Sequence, residues 1–301
     1  MPLVFLLYAL IASIFTIGKN VMNYADPFFI IGVRMFIAGT LILGYQFWRH
    51  RDSFKFNKKH WIDILILATV NIFITNVCEF WALNHLSSAK TCLLYSTSPF
   101  ISVLLSYVIL SEKMSPIKWL GLLIGFIGFF PILMMQSAGE ETAFLFFSWP
   151  ELAMIVAATT SVYGWILLRK LVTKSDISFM IANGYSMLFG GIMTLGYSGI
   201  IETWDPFPVT SWWPFIQNSL ALLLISNLIC YNLYGFLLKR YTATFMAFAG
   251  LSTPLFAALF GWAFLGEHIP WQFWLSLTII SCGLSIFHRQ EVKSVHLTEG
   301  A

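Results

Sequence analysis

The sequence predicts an all-α polytopic membrane protein with ten transmembrane helices, arranged as two inverted five-helix repeats. Three observations predict this: a very apolar composition, ten apolar stretches of membrane-spanning length, and a residue pattern that recurs at a fixed spacing. Of the 301 residues, 58% are hydrophobic and only 10% are charged, whereas soluble domains are about 45–50% apolar and about 25% charged. So little charge cannot cover a globular surface, and the chain is therefore expected to lie in lipid.

Each apolar stretch is close to the length of about 20 residues that a helix needs to cross a bilayer. Short polar breaks, many with Pro or Gly, separate the stretches. The alternating pattern of a transmembrane barrel is absent from the sequence. The ten predicted spans are 3–22, 27–48, 61–83, 89–110, 116–136, 148–169, 177–199, 212–238, 243–265 and 271–288.

Basic residues predict the orientation of these spans. If the amino terminus is cytoplasmic, fourteen of the 17 Lys and Arg residues fall on inner loops and inner helix ends. The outer loops then carry mainly acidic residues, including Asp26, Glu202, Asp205 and Glu267. This matches the positive-inside rule, so both termini are predicted to be cytoplasmic. The basic residues form no patch typical of nucleic-acid binding, and no nucleic-acid partner is expected.

Several classes of chemistry lack their sequence signatures. No Walker A motif and no HExxH motif occur, so neither direct use of ATP nor zinc hydrolysis is predicted. The four cysteines lie inside apolar stretches without CxxC spacing, so no disulfide and no metal site is expected. The first apolar stretch has neither a basic leader nor a cleavage motif, and we interpret it as an uncleaved span. We expect no cofactor and no enzymatic activity.

The two halves of the chain share a residue pattern at a constant offset of 155 positions. The matching pairs are Pro99 and Pro254, Glu112 and Glu267, Trp119 and Trp274, and Gly128 and Gly283. The pattern predicts a first repeat at 1–136, an outer linker at 137–147, a second repeat at 148–288 and a cytoplasmic tail at 289–301. Because five spans is an odd number, the second repeat enters the membrane from the opposite side. Inverted repeats are typical of secondary transporters with a substrate site near the midplane.

Two segments carry a resemblance to a known family. The stretches that begin SSAKTCLLYSTSPF and YTATFMAFAGLSTPLF resemble the two EamA repeats of the drug/metabolite transporter superfamily. In that pattern a mid-helix proline is followed by a glutamate that ends the helix and then by a glycine-bearing helix. Arg34 matches an arginine that the family often carries on its second helix, whereas His268 stands where Arg or Lys often follows the glutamate. The resemblance implies transport of amino acids, drugs or metabolites, including adenosyl metabolites.

Five residues are predicted to have hinge or structural roles: Arg34, Pro99, Glu112, Pro254 and Glu267. Each proline frees a carbonyl in its helix, and neighbouring Ser and Thr side chains are expected to satisfy it. The kinks are predicted as hinges, with a static packing kink as the alternative. Each glutamate is expected to cap the amides of the following helix, with a direct role in substrate binding as the alternative. Arg34 is expected to pin helices together.

Polar stripes on the third and eighth spans predict a central cavity. Asn71 and Glu79 lie eight residues apart on one face of the third span, with Asn76 beside them, and Asn227 and Tyr231 share a face of the eighth. The stripes occupy equivalent positions of the two repeats, although hydrogen bonding between helices is an alternative explanation. The predicted substrate-binding residues are Lys19, Asn71, Asn76, Glu79, Tyr95, Tyr163, Trp165, Asn227 and Tyr231.

Four charged residues are predicted near the outer ends of the spans: Lys19, Arg34, Glu79 and Lys90. Charged groups within spans are costly and are functional candidates by default. Glu79 is expected to pair with Lys19 or Lys90, which leaves positive charge for a substrate carboxylate or phosphate. The alternative for both lysines is that they extend to the outer headgroups.

The sequence therefore predicts a secondary active transporter of a small polar organic metabolite that works by alternating access. The substrate is expected to be amino-acid-like or an adenosyl metabolite such as S-adenosylmethionine, carried with protons or by exchange. A drug or metabolite efflux carrier is one alternative. An intramembrane hydrolase is another, although the Gly196-Tyr197-Ser198-Gly199 segment has no histidine at matching depth. The expected location is a bacterial inner membrane, as a monomer or homodimer in contact with lipid.

Overall fold

The computed structural model describes residues 2–49, 60–98, 100–102, 104–105, 115–128, 131, 148–174, 177–230, 233–234, 237, 250 and 252–299. The predicted site residues Pro99, Glu112 and Tyr231 and the linker at 137–147 lie outside these ranges. The helices are α1 (Pro2–Val21), α2 (Pro27–Arg49), α3 (Trp61–His85), α4 (Ser88–Tyr95), α5 (Pro116–Ile127), α6 (Trp149–Lys174), α7 (Phe179–Ile201), α8 (Trp212–Cys230), α9 (Ser252–Leu265) and α10 (Trp271–Glu299). Within the described ranges the extended structure is a single isolated β-bridge between Ala25 and Val209.

Six helices of the described chain are long and apolar enough to cross a membrane. They are α1, α2, α3, α6, α7 and α8. Helix α9 is apolar but shorter, with 14 residues. The protein is therefore an all-helical, multi-pass integral membrane protein, as the composition predicts. The number of ten spans stays a prediction.

The chain divides into two compact units that do not follow the predicted repeats. Unit 1 combines Met1–Thr16, His85–Leu152 and Cys230–Ala301, and unit 2 combines Ile17–Asn84 and Ala153–Ile229. Each unit thus contains segments from both predicted repeats. The equivalent helices α2 and α7 share unit 2, and α4, α5, α9 and α10 lie in unit 1, whereas most of α1 lies in unit 1 and most of its equivalent α6 lies in unit 2.

In unit 2, α2 and α7 pack closely through glycines. A Cβ atom on Gly39 would lie 2.5 Å from the Leu188 amide nitrogen, and one on Gly191 would lie 2.5 Å from that of Phe36. Gly32, nearer the start of α2, meets Leu195, nearer the end of α7. The two helices therefore run antiparallel, which is the relation that an inverted repeat predicts for its second and seventh spans.

In unit 1, α5 and α10 pack in the same way. A Cβ on Gly128 would lie 2.8 Å from the Ile280 side chain, and one on Gly283 would lie 2.5 Å from the Gly125 amide nitrogen. At the offset of 155 these two contacts are equivalent to each other. Backbones come this close only where residues are small, so these glycines serve packing within the chain.

Carboxylates cap the starts of two helices. Glu202 follows α7 and accepts hydrogen bonds from the amides of Phe28 (2.7 Å) and Phe29 (2.9 Å) at the start of α2. Glu267 follows α9 and accepts one from the amide of Ser88 (2.9 Å) at the start of α4. Helix N-termini favour negative charge. Burial raises the pKa of Glu202, although hydrogen bonds from Ser198 and the two amides partly offset this effect.

The Glu267 contact corrects one prediction. The sequence predicts that Glu267 caps the helix that follows it in the chain, α10. The capped helix is α4, the equivalent of α9 in the other repeat, because an antiparallel partner brings its start to the end of α9.

The close approach of α2 and α7 leads to a stability prediction. Gly39→Val is expected to lower the unfolding temperature in detergent strongly, because the new side chain meets backbone and overpacking costs about 1–3 kcal/mol. Gly44→Val is the matched control on the same helix, since a Cβ there has no neighbour within 4 Å. Equal unfolding temperatures for the two variants would contradict the packing.

Candidate substrate site

Two helices contain π-helical segments at equivalent positions. They span Ala68–Ile74 in α3 and Leu223–Cys230 in α8, and the offset of 155 superposes their starts. Directly after the first segment, the Thr75 hydroxyl donates to the Val70 carbonyl (2.9 Å), five residues earlier. π-helical segments are rare in proteins, and those that occur often lie at functional sites. Both coincide with the polar stripes that the sequence predicts.

The polar stripe of α3 faces α6 over part of its length. Asn71 is buried, and a Cβ on Gly164 would lie 2.4 Å from the Asn71 Cβ, so α6 approaches it closely. One turn later, the hydroxyls of Thr75 and Thr160 share a hydrogen bond of 2.8 Å. Asn71 therefore packs closely against α6 and Thr75 hydrogen-bonds to it, whereas the role of the polar stripe in a substrate cavity stays a prediction.

A group of four residues, which we call the Arg34 cluster, connects α2 with α3. It consists of Arg34, Asn76, Glu79 and Phe80. Arg34 Nη2 donates to Asn76 Oδ1 (3.2 Å), and the guanidinium carbon lies 5.3 Å from the centre of the Phe80 ring. The charge of Arg34 also acts on the Glu79 carboxyl. Arg34 thus joins α2 to α3, beside a carboxylate that is partly exposed, and its structural role stays a prediction.

Asn227 lies in the π-helical segment of α8 and is 2% exposed. Its Nδ2 faces the thioethers of Met35 on α2 (3.6 Å) and Met187 on α7 (3.7 Å). Its Oδ1 accepts no hydrogen bond from any residue that the structure describes. The amide oxygen of Asn183, which lies one turn before Met187 on α7, likewise accepts no hydrogen bond from the described residues.

Lys90 has a partner that the sequence analysis did not predict. Its Nζ lies 2.8 Å from Oε1 of Glu151, and the two side chains are 0% and 3% exposed. The expected pairing of Lys90 with Glu79 is therefore wrong, and so is its extension to the headgroups. Glu151 also accepts a hydrogen bond from the Ser148 amide (2.7 Å). The Ser148-x-x-Glu151 spacing is that of a capping box, which the sequence contains as a visible signal.

The predicted aromatic residues occupy three different surroundings. Tyr95 contacts Phe15 edge-on, with ring centres 6.2 Å apart, in unit 1. Tyr163 is 38% exposed. Trp165 packs against an apolar cluster that includes Leu67 and Leu168, which is a core contact. Lys19 is partly exposed near the end of α1. Substrate contact by these residues stays a prediction.

The carbonyls that the prolines free have partners in the structure. A proline at position 99 cannot bond the Tyr95 carbonyl, and the Ser98 hydroxyl donates to it (2.6 Å). Pro254 lies in the first described turn of α9, and the carbonyl four residues earlier, of Gly250, accepts from the Thr253 amide (2.9 Å). Neighbouring residues thus satisfy both carbonyls, by a side chain in one repeat and by the backbone in the other. The hinge role of Pro254 stays a prediction.

A multi-pass helical protein with antiparallel equivalent helices and buried charges on interior helices has the features of a secondary transporter. The chain belongs to the EamA-like transporter family, whose sequence model matches residues 1–134 and 148–288. The family confirms the resemblance noted in the two repeat segments. It also confirms that the protein is a transporter and not an enzyme.

Named relatives agree with this family, and a solved structure shows the same fold. The chain is 38% identical to the S-adenosylmethionine/S-adenosylhomocysteine transporter of Chlamydia muridarum, over 96% of this chain and 91% of that protein. It is 36% identical to the S-adenosylmethionine/S-adenosylhomocysteine transporter of Chlamydia trachomatis serovar D, over 98% and 91%. A solved crystal structure has the same fold, with a TM-score of 0.63 and 17% identity over 94% of this chain and 93% of that chain.

Proposed function

We propose that this protein exchanges S-adenosylmethionine for S-adenosylhomocysteine across a bacterial inner membrane. The observation that carries the proposal is the near full-length similarity, at 36–38% identity, to transporters named for these two substrates. The Arg34 cluster supports it, because it provides a cation and a carboxylate for a substrate with charges of both signs.

The charges of the substrate match those of the Arg34 cluster. S-adenosylmethionine carries a carboxylate, an ammonium group and a sulfonium group, whereas S-adenosylhomocysteine lacks the sulfonium charge. In this proposal Arg34 attracts the substrate carboxylate and Glu79 attracts its cationic groups. Arginine suits the first task because its planar guanidinium binds a carboxylate through two parallel hydrogen bonds. Buried pairing of this kind is strong where water is excluded.

Exchange is favoured over coupling to protons. The two substrates share every group except the methyl and its sulfonium charge. One site can therefore bind S-adenosylmethionine in one direction of transport and S-adenosylhomocysteine in the other. Alternating access then requires only that the loaded site changes the side on which it opens. Glu79 acts in this proposal as a substrate ligand rather than as a carrier of protons.

Transport by purified protein tests the proposal. Proteoliposomes preloaded with S-adenosylhomocysteine are expected to take up radiolabelled S-adenosylmethionine much faster than empty ones. An imposed pH gradient is expected to change this rate little. Equal uptake by loaded and empty vesicles would reject exchange, and no uptake in either would reject the substrate.

The orientation in the membrane is a further proposal with its own test. Both termini are proposed to be cytoplasmic, because most basic residues then lie on the inner side. Single cysteines at positions 138 and 204 are expected to react with an impermeant reagent added outside intact cells. Cysteines at 54 and 175 are expected to react only after the cells are opened. Reaction of 138 and 175 from the same side would contradict the ten-span topology and the inverted repeat.

A further inference from the structure

Among the residues that the structure describes, the buried amide of Asn227 has no good hydrogen-bond partner for either of its ends. Its oxygen accepts no hydrogen bond from the described residues, and its nitrogen faces only two thioethers, at 3.6 and 3.7 Å. Thioether sulfur is a weak acceptor. A buried polar group without a hydrogen bond costs free energy, so an amide that is 2% exposed is expected to have a further partner.

An asparagine amide is chemically suited to adenine. Its oxygen accepts from the exocyclic N6 amino group while its nitrogen donates to N7, which is the bidentate contact by which asparagine recognises adenine in nucleic acids. A 6-oxo purine presents acceptors at both positions, so the amide oxygen would then face another acceptor. The amide oxygen of Asn227, which has no donor among the described residues, and its nitrogen, which meets only weak sulfur acceptors, therefore match an adenine edge and not that of a 6-oxo purine.

The two methionines suit the face of the same base. Methionine is flexible and polarizable, and its sulfur makes favourable contacts with aromatic rings. Met35 and Met187 contact the Asn227 nitrogen from α2 and α7, so the amide and both thioethers meet at one point within unit 2. Their three rotatable bonds allow them to move aside for a planar ligand.

We propose that Asn227, Met35 and Met187 form the adenine subsite of this transporter. The inference rests on the proposed function and adds the residue that selects the base. Met35 directly follows Arg34 in α2, so the subsite and the Arg34 cluster lie at the same level of one helix. Asn227 then binds the base, and the Arg34 cluster binds the amino-acid end of the substrate.

Competition between two unlabelled analogues tests this subsite. Uptake of radiolabelled S-adenosylmethionine is measured in the presence of increasing unlabelled S-adenosylhomocysteine or S-inosylhomocysteine. The two competitors differ in the group at position 6 of the purine. Wild-type protein is expected to need about tenfold more of the inosyl compound for half-inhibition. Asn227→Ala is expected to weaken inhibition by the adenosyl compound about tenfold and to leave the inosyl compound unchanged, so that the discrimination disappears.

Asn218→Ala provides the matched control on α8, because Asn218 already donates to the Pro214 carbonyl (2.8 Å) and accepts from Asn20 (3.0 Å). It is expected to keep the discrimination. If Asn227→Ala does not fold, Asn227→Ser is measured in its place with the same expected result. Equal inhibition by both compounds in wild type, or full discrimination in the Asn227 variant, would overturn the adenine subsite alone. Absence of S-adenosylmethionine uptake by wild type would overturn both the subsite and the proposed function.

Discussion

Lys90→Met is expected to lower the unfolding temperature of the protein in detergent even more than Gly39→Val does. The substitution leaves the Glu151 carboxylate buried, without the ammonium group that lies 2.8 Å from it. Removing one member of a buried ion pair costs about 3–5 kcal/mol. Glu151→Gln is expected to have a similar effect, since it removes the carboxylate that lies 2.8 Å from the fully buried Lys90 ammonium group. Thermal unfolding followed by size-exclusion chromatography measures both.

The double variant distinguishes the loss of a partner from the loss of packing. Lys90→Met combined with Glu151→Met is expected to recover much of the lost stability, because an apolar pair of similar volume often replaces a buried ion pair without cost. Lys170→Met serves as the control, since this lysine is exposed. A double variant that is less stable than either single variant would show that the two charges do not act as a pair.

Glu79→Gln is expected to reduce exchange of S-adenosylmethionine for S-adenosylhomocysteine at least about tenfold. A neutral amide cannot balance the cationic groups of the substrate, and the loss of a charged hydrogen bond costs about 1.5–3 kcal/mol. The fold is expected to persist, because the substitution keeps the shape of the side chain and the bond from Arg34 to Asn76. Exchange in proteoliposomes, together with the unfolding temperature, measures both effects.

Asp63→Asn is the matched control for this variant. Asp63 is a carboxylate on the same helix, its side chain is 45% exposed and it lies 3.6 Å from His60, so its loss is expected to leave exchange unchanged. If Glu79 carries protons instead, Glu79→Gln will keep exchange and lose accumulation driven by a pH gradient. Unchanged transport under both conditions would remove Glu79 from the mechanism.

The candidate site is predictable from sequence only in part. Asn71, Asn76, Glu79 and Asn227 can be found because polar residues stand out against apolar helices. Arg34 bonds to Asn76 on the neighbouring helix, and its pinning role stays a prediction. Glu151 escapes such a search because it stands at the start of a span, where an acidic residue is ordinary, and its capping-box spacing is the signal that points to it.

The helical membrane class and the transporter family follow from the sequence by itself, whereas the ten span positions stay a prediction. They depend on local apolar length and on a repeated spacing, and both are properties of the chain before it folds. The tertiary structure alone decided which carboxylate Lys90 meets, that Glu267 caps α4, and that thioethers face Asn227. These contacts join residues far apart in the chain. The packing of antiparallel helices decides which helix ends and faces come into contact. The sequence contains several residues of suitable charge for each partner, and only the packing shows which of them lies close enough to bind.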